Sequence, residues 1–241
     1  VDSGLADIVL PEIPALRLEV DEHHHHKDVF EHTLTVLDQA IDYERDYDLK
    51  ADFVLRFAAL MHDVGKPATR KLESGGGVSF YHHDIVGAKL TKKRMQELRF
   101  DNDTIKAVFR LIELHLRFFG YSDQAWTDSA IRRYVRDAGD QLLRLHALTR
   151  ADVTTRNKRK AERLSHAYDD LEARIRVIAE QEQLDAMRPD LDGQAIMEIL
   201  DLKPGREVGE AYNYLLELRI EEGPLGSEEA KTRLLAWWAS R

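Results

Sequence analysis

Apolar positions recur at helical spacing along almost the whole chain. After Asp28, Val29, Leu34, Val36, Leu37, Ala40 and Ile41 follow a 3.6-residue period, which predicts a first long helix. Residues 53–61 are apolar nearly all round, the pattern of a helix at the centre of a fold. That helix must stop near Gly65-Lys66-Pro67, where the proline ring blocks continuation. Residues 69–72 and 78–81 flank Ser74-Gly75-Gly76-Gly77 and predict a small hairpin. Further helices are predicted at about 85–98, 104–119, 128–137 and 141–183, the last broken around 152–155. Met187-Arg188-Pro189-Asp190 reads as a boundary, followed by three shorter helices near 193–200, 208–222 and 228–239. Pro11 and Pro14 exclude a long helix at the start, which reads as a short helix end and an extended lead-in. The expected architecture is all-α, a helical bundle with a small hairpin insertion and a C-terminal helical tail. Its divisions are a lead-in at 1–26, a main domain at 27–187 and a tail at 188–241.

Composition narrows the chemistry. With no cysteine among 241 residues, disulfides, iron–sulfur clusters, thiolate zinc sites and a cysteine nucleophile are excluded. Any metal must be held by histidine, carboxylate, backbone and water. No apolar run approaches the roughly 20 residues that span a bilayer, and the opening lacks the charged start and apolar core of a signal peptide. The expectation is a soluble, cytoplasmic protein, cut from a longer chain because no methionine starts it. The formal net charge of −9 argues against binding nucleic acid through the whole surface, though not through a local basic patch.

Candidate chemistry begins at His62-Asp63-Val64-Gly65-Lys66-Pro67, where the apolar helix ends. A histidine and an aspartate beneath a core are costly unless paired or ligating. The carbonyl end of a helix favours a cation, and Lys66 just beyond can face a phosphate as a point charge. A capping histidine with a solvated loop aspartate explains the pair equally well. His32, His115 and Asp152 interrupt other apolar helix faces, and each taken singly is more often a satisfied core or edge residue. His82-His83-Asp84 stands at a helix start, where Asp84 can cap and the histidines can be exposed.

Taken in order, His32, His62-Asp63, His83, His115 and Asp152 resemble the HD superfamily of metal-dependent phosphohydrolases. The resemblance implies His32, His62, Asp63 and Asp152 as ligands of a divalent metal, with His83 and His115 accessory to substrate or to a second ion. His83 is preferred to His82 because His83-Asp84-Ile85-Val86-Gly87-Ala88 is similar to a family segment, although His82 stays open. The ion could be Mg, Mn, Co, Ni or Fe. A closer resemblance, to the HD domain and tail of actinobacterial CCA-adding tRNA nucleotidyltransferases, rests on four strings. They are residues 21–32, 114–118 and 150–160, and Val208-Gly209-Glu210-Ala211 with Glu222-Gly223-Pro224-Leu225-Gly226. The first string contains His23, His24, His25 and His26, read as native, with a tag remnant as the rival reading.

CCA addition needs a head domain with a Gly–Ser turn and two strand-borne carboxylates. The one Gly–Ser pair, Gly226-Ser227, precedes a C-terminal helix, and Asp101-Asn102-Asp103 reads as a helix cap. The chain is therefore expected to be no polymerase by itself, but the C-terminal part of one or a free-standing relative. Arg150, Arg156, Lys158, Arg159 and Lys160 form a basic run beside Asp152, where the resemblance implies weak, salt-sensitive tRNA contact in the full-length context. Lys89, Lys92, Lys93 and Arg94, and Arg132, Arg133 and Arg136, form further clusters that read equally as solvated faces. Phe118-Phe119-Gly120-Tyr121 is expected to end a helix and pack inward rather than stack a base. Trp237-Trp238 is expected to anchor the tail or a neighbouring subunit.

The main expectation is a phosphohydrolase, for which the resemblance implies phosphomonoesters, 2′-nucleotides or 2′,3′-cyclic phosphates as substrates. Asp63 would also receive a proton if its second oxygen is free, and Lys66, His83 and His115 would balance phosphate charge. The alternatives are a tRNA-holding body and tail without catalysis, or a regulatory HD domain whose tail mediates assembly.

Overall fold

A computed structural model describes residues 1–18, 20–21, 27–74, 77–123, 126–155, 157–182 and 188–241. The run His23 to His26, the hairpin turn at 75–76, Arg156 and the boundary residue Met187 lie outside the described residues. Two compact units divide the chain, one of Val1–Gln124 with Ala138–Tyr168, the other of Ala125–Asp137 with Asp169–Arg241.

The first unit opens with two short helices, α1 (Leu5–Val9) and α2 (Glu12–Ala15), and a 3-10 turn at Leu16–Leu18. Strands β1 (Val20–Asp21) and β2 (Lys27–Asp28) pair antiparallel. This ladder has no counterpart in the sequence reading, because two-residue strands are too short to show alternation. Asp28 accepts a hydrogen bond from Phe30 N–H and starts α3 (Val29–Asp46). Asp52, accepting from Leu55 N–H, starts α4 (Phe53–Met61). Leu55, Phe57, Ala58, Ala59 and Met61 of α4 are all buried, and α4 packs against α3 and against two helices described below. A four-residue α5 (Lys66–Thr69) leads into β3 (Lys71–Leu72) and β4 (Val78–Ser79), the predicted hairpin, with Lys71 opposite Ser79.

α6 (His83–Glu97) and α7 (Asn102–Leu114) form an antiparallel pair, and Asp101 caps the second through Asp103 N–H and Thr104 N–H, as the sequence suggests. Asp84 does not cap: it lies inside the first turn of α6, and the residue before that helix is His82. α7 ends at Leu114 rather than near 119. The aromatic run then forms a separate α8 (Phe119–Asp123), with Phe118 and Tyr121 buried. After α9 (Asp128–Ala138) and a 3-10 turn, α10 (Leu142–Ala151) packs on α3, α4 and α7. The break predicted around 152–155 is present, and α11 (Lys158–Glu182) follows it.

In the second unit α12 (Gly193–Leu200), α13 (Arg206–Glu222) and α14 (Ser227–Ala239) close over Leu191, Ile196, Ala211, Leu215, Ala230 and Leu234. The ring of Trp237 stacks on Tyr214 at 4.5 Å, so this tryptophan anchors the tail on itself. Arg132 on α9 donates to the carbonyl of Ile220 at the end of α13 (3.0 Å). No helix among the described residues is long and apolar enough to cross a membrane.

Candidate metal centre

Three helices end on one point. His62 is the C-terminal cap of α4, His115 that of α7 and Asp152 that of α10. The free carbonyls at these ends give each helix a partial negative charge, so three dipoles favour a cation there. His32 reaches the same point from α3, and Lys66, His83 and Asp63 complete it. All seven side chains are buried, His62 and His115 completely.

A close backbone crossing makes this convergence possible. An added side-chain carbon on Gly65 would lie 2.1 Å from the carbonyl oxygen of His83 and 2.6 Å from the nitrogen of Gly87. Only glycine lets the turn after Asp63 pass against the first turn of α6, which seats His83 beside Asp63.

Two groups of ligand atoms result: His32, His62 and Asp152, and Asp63, His83 and His115, each with its atoms within 4.8 Å of one another. Nε2 of His32 lies 3.0 Å from Oδ1 of Asp152 and 3.5 Å from Oδ2 of Asp63. Nε2 of His62 lies 3.3 Å from Oδ2 of Asp63. The other oxygen of Asp63 lies 3.3 Å from Nε2 of His83, so this one carboxylate faces both groups. Nζ of Lys66 approaches Oδ2 of Asp63 at 2.9 Å.

The outer nitrogens decide the tautomers. Nδ1 of His62 donates to the carbonyl of Ala59 (2.8 Å), that of His83 to Phe80 (2.8 Å) and that of His115 to Ile112 (2.6 Å). A carbonyl can only accept, so each Nδ1 carries a proton and each neutral ring turns the lone pair of Nε2 inward. Nε2 of His115 is buried without a hydrogen-bond partner, and that of His62 meets only the carboxylates of Asp63 and Asp152, at 3.3 and 3.5 Å. A buried nitrogen lone pair left without a donor is costly, whereas a cation would satisfy it. Metal-ligating histidines are held in this way by carbonyls on their far side. Nδ1 of His32 meets Thr154 Oγ1 at 3.1 Å.

Electrostatics in the metal-free protein tell the same story. Burial pushes the His62 imidazole down, but the charges of Asp63 and Asp152 outweigh it and hold the group up at about 10. Burial pushes the Asp63 carboxyl up, and His62 and Lys66 overturn this and hold it well below the carboxylate range. Asp152 is likewise held low, by His32 and His62 against its burial. His115 goes down to about 4, through burial and then the charges of His62 and His83. Without an ion, a proton on His62 occupies the position that a cation would.

A cavity of about 310 Å³ opens onto this cluster, lined by Asp63, Lys66, His83 and Asp152 together with Ser79 to His82, Leu116 and Phe119. His83 is buried and His82 exposed, which separates the two neighbours that the sequence left open. The basic run divides too. Arg150 is half-buried, donates from Nε to the Tyr47 hydroxyl (2.7 Å) and lies over the Tyr168 ring, whereas Lys158, Arg159 and Lys160 are exposed. Arg156 lies outside the described residues. The roles of Thr154 and of the three carbonyl acceptors carry no signal in the sequence, and Gly65 is visible there only as part of a helix stop.

Residues 29–157 match the HD domain. The chain is 34% identical over 239 residues to the A-adding tRNA nucleotidyltransferase of Deinococcus radiodurans, covering 98% of this chain and 52% of that protein. It is 33% identical over 245 residues to the CC-adding tRNA nucleotidyltransferase of Thermus thermophilus, covering 99% of this chain and 51% of that protein. A 116-residue stretch, 47% of this chain and 26% of the relative, is 34% identical to the multifunctional CCA protein of Vibrio parahaemolyticus. The chain thus spans about half the length of the two relatives that it matches end to end. With more than half of its own residues matched to that domain, and the His/Asp clusters that could hold a metal buried within the match, the chain belongs to the HD domain family.

Proposed function

We propose that this chain is a metal-dependent phosphohydrolase acting on phosphomonoesters or 2′,3′-cyclic nucleotide phosphates. The observation that carries the reading is the set of inward Nε2 lone pairs on His62, His83 and His115, each fixed by a main-chain carbonyl, around two buried carboxylates. His32, His62, Asp63 and Asp152 would hold a divalent ion of the Mg, Mn, Co, Ni or Fe kind, and Asp63, His83 and His115 are placed for a second. When bound, such an ion supplies Lewis acidity toward a phosphoryl oxygen and toward water. Lys66 and His83 line the cavity and meet the charge of a phosphate entering it. Asp63 turns one oxygen to each ligand group, and where no second ion takes it Oδ1, on the His83 side, is the acceptor for a proton released by water. His115 is fully buried and does not line the cavity, so its part is to complete the ligand set.

The test is hydrolysis of 2′,3′-cyclic AMP after chelation and re-addition of each ion, beside Asp63→Ala. Turnover restored by one ion and absent in the variant supports the reading; a wild-type protein inert with every ion sinks it.

A second reading concerns RNA. α11 opens with Lys158, Arg159 and Lys160 and has no acid in its first turn, although a helix start favours negative charge. Three exposed cations placed against the dipole suit a polyanion, and the relatives are named for tRNA. In a longer chain carrying a nucleotidyltransferase head, this surface would hold tRNA while the HD site acts separately. Steep loss of tRNA binding with salt is the expected result.

A further inference from the structure

The cavity over the cluster has two kinds of lining. Asp63, Asp152, His83 and Lys66 are ionic or titratable, whereas Phe80, Tyr81, His82 and Phe119 bring rings, with Lys66 Nζ 5.6 Å from the centre of the Phe80 ring. At about 310 Å³ it is far larger than a phosphate needs and lies at the lower limit of small-molecule pockets, roughly 300–1,000 Å³.

Phe119 separates from its neighbours in the aromatic run. Phe118 and Tyr121 are buried in the core, but Phe119 is half-buried and lines the cavity. Tyr81, on the lining of the same cavity, is 72% exposed.

His82 has the least ordinary backbone of the three. Four non-glycine residues among those described are left-handed: Asp48, His82, Arg99 and Asp201. Asp48, Arg99 and Asp201 follow the ends of α3, α6 and α12, where such a residue closes the helix. His82, at φ 63°, instead precedes α6, in a turn closed by His83 N–H donating to Phe80 (3.2 Å). Glycine would take that conformation without steric cost. A histidine sits there all the same, on the wall of the cavity. Strain held at a site wall points to use of the side chain.

We propose that Tyr81, His82 and Phe119 form a ring-binding slot that selects nucleoside phosphates over phosphate esters without a base. The phosphate meets Lys66 and His83, and the base lies among the three rings. The proposal rests on the phosphoester site described above, yet its test reads binding rather than turnover. Base stacking on an aromatic side chain is worth about tenfold to a hundredfold in affinity.

Titration calorimetry would compare 2′-AMP with ribose 5-phosphate, with Mn²⁺ present, for the wild type, His82→Gly and Phe119→Ala. The expected result is at least tenfold tighter binding of 2′-AMP by the wild type. Each variant should reduce that ratio at least several-fold while ribose 5-phosphate binding holds. His82→Gly should also keep or raise the thermal midpoint, which a purely structural histidine would not predict together with lost selectivity. Equal affinities in the wild type, no binding of either ligand, or a ratio unchanged in His82→Gly would overturn the slot. Selective binding without hydrolysis of any phosphoester would leave the slot standing and remove the hydrolase reading instead.

Discussion

At the scale of single residues, the centre shows how a buried histidine is made into a ligand. His62 and His115 each follow the last turn of a helix, where carbonyls lack partners. The ring takes the one three residues back, and the proton is thereby fixed on the outer nitrogen. His32 is held by a side chain instead, Thr154. Outer partners of this kind are worth about 10–100-fold in metal affinity or activity. Thr154→Val keeps the volume and removes the hydroxyl, so it should weaken metal binding by about that factor, read by competition with a chelator while the circular dichroism stays unchanged. The same cluster sets a pH dependence. In the metal-free protein the His62 group is held up at about 10, against 6.5 for a free imidazole. A group with its folded value raised stabilises fully below the unfolded value, and that stability drains away as pH rises toward the folded one. Urea unfolding of chelated protein should therefore show stability falling from about pH 6.5 toward pH 10. Protein loaded with metal, where His62 has no proton to lose, should not show that fall.

At the scale of elements, the helix pattern was legible because a 3.6-residue period survives any tertiary detail. α4 was recognisable as central from its apolar circumference, and α12 was placed within its true bounds. The order of histidines and aspartates along the chain likewise marked where candidates lie. What could not be read was contact geometry. The early end of α7 at Leu114 arises because His115 turns inward as its cap, a choice the neighbouring apolar residues conceal. The failure of Asp84 to cap α6 has a similar cause, since the chain enters that helix through a left-handed His82. The crossing of Gly65 over α6 depends on two segments some twenty residues apart, and periodicity carries no signal for it. Gly65→Ala should shift the α4–α5 turn away from His83. The expected cost is at the upper end of about 1–3 kcal/mol for a packing clash, measured by denaturant midpoint, with a parallel drop in bound metal. If the variant keeps both its stability and its metal, the crossing does not position the site. Glu44 does comparable work at the other end of α4, accepting from Arg56 twice and from Asp52 N–H. The bonds from Arg56, outweighing burial, hold its carboxyl below the usual range.

At the scale of the whole molecule, the charge distribution bears on which partner it meets. A net charge of −9 repels a polyanion at long range, so any RNA contact must be concentrated where cations cluster. Of the run expected to serve this purpose, Arg150 is turned to internal work with Tyr47 and Tyr168, leaving Lys158, Arg159 and Lys160 on the surface. If these three face phosphates, each releases counterions, and each should contribute about 0.7–0.9 to the slope of log affinity against log salt. Replacing all three by alanine should lower that slope by about two to three and weaken tRNA binding alike for every sequence tested. Hydrolysis of a mononucleotide by the same variant should be untouched, because none of the three lines the cavity over the metal cluster. An unchanged slope would assign the three cations to solvation alone. A lost hydrolytic activity would mean that RNA contact and phosphoester chemistry share one surface, against their separation in the structure.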